Sequence, residues 1–66
     1  MRITTGLVSI QPWGTIEWVT VRATSTPDRY RVVYDNRDLF EVTATEQADL
    51  LDKIAKGWRR EFPQGQ

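Results

Sequence analysis

Between Arg2 and Gln11 the chain sets Ile3, Leu7, Val8 and Ile10 among Thr4, Thr5 and Ser9. β-Branched residues dominate this stretch, which predicts a first strand over about 2–11, fraying at its start. Gln11-Pro12-Trp13-Gly14 then interrupts it. Proline's fixed φ suits the second position of a type I turn, and glycine at the fourth accepts the left-handed backbone that closes a bulged hairpin. Thr15 to Thr24 alternates: Ile16, Trp18, Thr20 and Arg22 point one way, and Glu17, Val19, Val21 and Ala23 the other, predicting a long second strand over 15–24.

Ser25-Thr26-Pro27-Asp28 forms another turn cluster, since proline cannot donate to a ladder and aspartate bonds back to local amides. A third strand is expected over 29–34, a polar turn over 35–38 and a short fourth strand over 39–42. With Asn36 and Arg37 at the turn centre, Tyr34 pairs with Leu39 and Val33 with Phe40. That register puts Tyr30, Val32, Tyr34 and Leu39 on one face, and Arg31, Val33, Phe40 and Val42 on the other.

The period changes after Val42. Thr43-Ala44-Thr45-Glu46 matches the capping box, with Thr45 as a competing cap. Ala48, Leu51, Ile54, Ala55 and Trp58 recur at helical spacing, Leu50 widens the stripe and Phe62 extends it, which predicts a helix over about 44–60. Glu46, Asp49 and Asp52 precede Lys53, Lys56, Arg59 and Arg60, the polarity a helix dipole favours. Gly57 either ends this helix or sits inside it at a cost of about 1 kcal/mol. Residues 61–66 are expected as a tail.

Strands followed by one helix make a two-layer α+β domain: an antiparallel β-meander of three to four strands with a C-terminal α-helix packed on one sheet face. A single small domain spanning 1–66 is expected, because domains run from about 50 to 250 residues, and since folding at this size buries only about 60% of the chain's surface the core must be compact. The other sheet face has no partner within the chain.

Composition narrows the chemistry. Hydrophobic residues make up 39% and charged residues 27%, an ordinary globular balance. With no Cys and no His there is no thiolate nucleophile, no disulfide, no usual zinc ligand and no imidazole base. Asp49 with Asp52 on one helix face and Asp35 with Asp38 flanking a turn are carboxylate pairs that could hold a divalent cation; dipole complementarity and turn chemistry account for both, so neither a metal site nor a cofactor is expected. Ser9 and Ser25 have no visible base, and no glycine-rich phosphate loop is present, so no catalytic residue is assigned. The longest apolar run is Val32-Val33-Tyr34, which predicts neither a membrane span nor membrane partners and places the chain in the cytoplasm.

Three Trp, two Tyr and two Phe exceed what one small core absorbs, and a net charge of zero removes the global field that draws small proteins to nucleic acid. The leading expectation is a non-catalytic interaction module, a regulator or inhibitor that binds a protein partner or a second copy of itself through the helix-free sheet face. Trp13, Trp18, Arg22, Arg29, Arg31 and Arg37 are its candidate binding residues, because aromatic rings anchor interfaces and a guanidinium both pairs bidentately and stacks on rings. The alternative is DNA binding by the same arginines and aromatics, since a β-ribbon can enter the major groove. The order of strands then helix, over roughly Gly6 to Trp58, resembles the sheet-plus-helix DNA-binding domains of phage integrase arms. That resemblance is architectural, with no specific motif behind it, and implies nucleic acid as the partner.

Overall fold

The turns decide how this chain pairs. In the computed structural model, which describes residues 3–64, they join β1 (Gly6–Ile10), β2 (Glu17–Ala23), β3 (Arg29–Tyr34) and β4 (Arg37–Thr43) into one antiparallel sheet of order β1-β2-β3-β4. A single helix, α1 (Gln47–Glu61), follows and packs on the sheet against β4 and β1. The expected meander with a C-terminal helix is the fold.

The first turn forms as expected: the Gly14 N–H donates to the Gln11 carbonyl at 3.4 Å, and Gly14 is left-handed at φ 86°. Upstream, β1 starts at Gly6 (φ 103°) rather than near residue 2, because the Thr4 N–H donates to the Gln47 side-chain oxygen at 2.8 Å and the chain leaves the sheet for the helix. Arg2, where that strand was expected to begin, lies outside the described residues. In the second turn Asp28 takes φ 64°, and its carbonyl accepts the Ala44 N–H at 2.9 Å, tying the turn to the end of β4.

The third turn corrects the expected register. Asp35 (φ 54°) and Asn36 (φ 62°) are its two central residues, the positive φ pair of a two-residue hairpin loop whose twist matches its strands. Tyr34 therefore faces Arg37, not Leu39, and β4 begins at Arg37 rather than 39. A bulge follows: Val32 pairs with Phe40 and Val33 with Asp38, leaving Leu39 as the extra residue. Phe40 and Val42 thus lie opposite Val32 and Tyr30 on the inner face, the reverse of their expected placement with Arg31 and Val33.

Val8, Ile10, Val19, Val21 and Val32 from the sheet meet Leu50, Ile54 and Trp58 from α1 in the core, with Ala44 sealing the connection. Each fully buried aliphatic side chain among them contributes about 1.5–3 kcal/mol. The helix begins three residues later than the expected 44, and the capping box does not form. Its N-cap is Glu46, with extended backbone and no side-chain cap. Thr43 is already committed to β4: its hydroxyl accepts Arg29 Nη1 at 3.4 Å and its carbonyl accepts Lys53 Nζ. Gly57 lies inside the helix against the Phe40 ring, and Glu61 and Phe62 close the helix rather than joining the tail. Among the described residues no helix is long and apolar enough to cross a membrane.

Candidate functional site

Residues directly opposite in an antiparallel pair share a face, so the register maps the side of the sheet that α1 leaves uncovered. One row runs Leu7, Thr20, Val33, Asp38 across all four strands; Ser9 and Trp18 form a second; Arg22, Arg31 and Glu41 form a third. Leu7 is 67% exposed, Trp18 55%, and Ile16, just ahead of β2 and in phase with Trp18, 53%. Leu7 and Trp18 are diagonal neighbours across β1 and β2, within reach of one another on a pleated surface. The face is thus apolar towards the start of β2 and charged towards the β2–β3 turn.

The charged part is largely neutralised from within. Arg29 Nε lies 2.6 Å from Glu41 Oε1, Arg31 Nη2 lies 2.9 Å from Glu41 Oε2, and Arg31 Nε is 3.8 Å from Asp38. The hydrogen bond from Arg29, then that from Arg31, holds the Glu41 carboxyl below its usual range. The Glu41 hydrogen bond likewise raises Arg31. This acid lies across the strand from Arg31, on the side away from Arg22, and offsets the like-charge pairing of those two arginines. Among the described residues Arg22 and Arg37 form no ion pair.

Of the candidates read from sequence, the structure gathers Trp18, Arg22, Arg29 and Arg31 on the open face, whereas Arg37, opposite Tyr34 at the hairpin end, takes the helix side of the sheet. It separates Trp13 from that group. The Trp13 indole N–H donates to the Phe62 carbonyl at 2.9 Å, and the Arg59 guanidinium, whose Nη1 donates to the Pro12 carbonyl at 3.1 Å, sits 5.9 Å from the Trp13 ring. Trp13 therefore belongs to the helix end, on the other side of the sheet from Trp18.

Leu7 and Ile16 were missed as surface residues. Strict alternation carried the signal: Ile16 shares the phase of Trp18, and Leu7 precedes the inward-facing Val8. The Asp49 and Asp52 carboxylates pair with Lys53 and Lys56, each at 3.1 Å one helical turn on. No three or more acidic side chains converge as a metal site among the described residues. No protein-family model, curated protein or solved structure matches this chain.

Proposed function

We propose that this chain is a small non-catalytic interaction module whose working surface is the helix-free sheet face, and that it docks a protein surface, with a second copy of the chain as the first case to test. The observation that carries this reading is the adjacency of Leu7, Ile16 and Trp18, each more than half exposed, on a face where Thr20 and Ser9 supply the other neighbours. An uncharged stripe brings no like-charge repulsion when it meets its own copy, and isologous pairing requires that self-complementarity. Trp18 has the size and exposure of an interface anchor.

Sedimentation equilibrium tests the reading on the wild type and on Leu7→Ser/Trp18→Ser. Concentration-dependent dimerisation that the double variant abolishes supports it. If the wild type stays monomeric, a photo-cross-linker at position 18 against one at Lys56 asks whether a partner engages this face. Equal labelling from both positions, or none, overturns the proposal.

One observation favours a second reading. Arg22 and Arg37 are exposed cations without an acidic partner among the described residues, which suits DNA phosphates or guanine edges. Affinity for a mixed-sequence duplex that falls steeply with salt and is lost in Arg22→Gln favours nucleic acid over protein.

A further inference from the structure

We propose that a second site, on the helix side of the sheet and independent of the open face, binds a methylated ammonium cation. The β1–β2 turn, the start of β2, the end of β3 and the end of α1 converge there and bring together Trp13, Glu17, Tyr34, Trp58 and Phe62 around a cavity of about 380 Å³. That volume lies at the lower end of the range for small-ligand sites.

The walls are π-faces set at steep angles. Tyr34 meets Trp58 with ring centroids 4.8 Å apart at 78°, and Phe62 at 6.1 Å and 72°; Trp58 and Phe62 are 4.5 Å apart at 44°. Trp58, only 5% exposed, backs the cluster from the core, and the inclined Tyr34 and Phe62 rings with the Trp13 ring are the π-surfaces left to meet a rounded cation. The walls are also locked together, since the Trp13 indole N–H is bonded to the Phe62 carbonyl. Trp13 already draws one cation to its ring, the guanidinium of Arg59.

Glu17 supplies the second, independent observation. It opposes Ile10 and shares the inward phase of Val19 and Val21, so it is a carboxylate on the core-facing side of the sheet. It is partly buried, and among the described residues it has neither an ion pair nor a side-chain hydrogen bond. A bound cation would give that carboxylate the partner it lacks. Among the described residues it is the one charged side chain that lines the cavity, and the nearby Arg59 cation is engaged with the Trp13 ring and the Pro12 carbonyl.

Hydration selects among cations. A bare ammonium holds its water strongly, and one carboxylate at a cavity wall replaces little of that shell. A methylated ammonium spreads its charge over its methyl groups and is rounded enough to touch several rings at once. Two sources share this chemistry: a methylated lysine side chain on a protein and a free quaternary ammonium such as choline.

The three tryptophans make the test. In an indole-resolved NMR titration, Trp13 and Trp58 report on the cavity and Trp18, on the opposite face, serves as internal control. The wild type is titrated with choline, with a short peptide carrying one trimethyl-lysine, and with the neutral isostere in which carbon replaces the quaternary nitrogen of choline. Saturable shifts of Trp13 and Trp58 with a still Trp18, at least about tenfold weaker binding of the isostere, and several-fold weaker binding to Glu17→Gln support the site. A peptide that binds more tightly than choline assigns the source to a protein side chain; equal or tighter choline binding assigns it to the free cation. No saturable shift with either cation at millimolar concentration, or equal binding of the isostere, overturns the proposal without any reliance on a variant.

Discussion

Gly57 is fixed by what its missing side chain makes room for. A Cβ there would lie 2.5 Å from Phe40 Cζ and 2.7 and 2.9 Å from the ring's Cε atoms, so the ring would have to move. Alanine gains about 1 kcal/mol of helix propensity, but overpacking costs about 1–3 kcal/mol, and the net expectation for Gly57→Ala is a loss of about 1 kcal/mol. In a Phe40→Leu background the same substitution becomes neutral or stabilising; urea unfolding of both singles and the double variant reads this coupling directly. Glu41 acts instead through charge. Its folded carboxyl is held below the ordinary value of 4.5, first by Arg29 and then by Arg31. A depressed carboxyl contributes stability that is fully present above the unfolded value and is lost as pH falls through the folded one. Glu41→Gln is therefore expected to melt below the wild type at neutral pH, and the gap should close as pH drops below 4.5; parallel melts along a pH series check it.

At the scale of elements, the β3–β4 hairpin, through its turn and the bulge at Leu39, sets which side chains reach the core. Asn36 sits at φ 62°, a conformation that asparagine tolerates, glycine adopts freely and alanine resists by about 1 kcal/mol. Urea midpoints should therefore rank Asn36→Gly at or above the wild type and Asn36→Ala about 1 kcal/mol below it. The same turn shows where sequence reading reached its limit. Alternation gave the phase of β2 correctly, because Val19 and Val21 against Trp18 and Thr20 leave a single choice, while the strand itself is shorter than the expected 15–24 and runs Glu17–Ala23. In the last hairpin, moving the centre from Asn36-Arg37 to Asp35-Asn36 shifts each partner by two residues and keeps the faces. The extra residue at Leu39 then offsets β4 by one and turns over every side chain beyond it. Phe40 and Val42 changed faces for that reason. No local pattern announces such a bulge. The helix was legible from its stripe, but its start was not, since Thr43 looks like a cap until it ends β4 with its hydroxyl held by Arg29 of β3 and its carbonyl by Lys53 of α1. The open face could be read from alternation, whereas the aromatic cavity depends on four segments meeting. The i,i+4 spacing of Trp58 and Phe62 and the inward phase of Glu17 were its local traces.

The whole molecule is a sheet with one face buried and one bare, and the two faces should answer substitution differently. Leu50 and Ile54 are fully buried between α1 and the sheet. Truncating such a side chain to alanine costs about 2–5 kcal/mol, and for a chain of 66 residues total stability is only about 3–10 kcal/mol. Leu50→Ala is thus expected to populate the unfolded state strongly, visible as a large drop in the thermal midpoint. Trp18 is a larger residue, but more than half of it already faces solvent and its row mate is Ser9. Trp18→Ser should leave monomer stability within about 0.5 kcal/mol, the range of surface changes away from packed features. Circular-dichroism melts of both variants at low protein concentration separate the cases. If Trp18→Ser costs the monomer as much as Leu50→Ala, the ring is part of the fold and the open face loses its claim as a docking surface. If only Leu50→Ala costs the monomer, an exposed tryptophan that folding does not need is left for recognition.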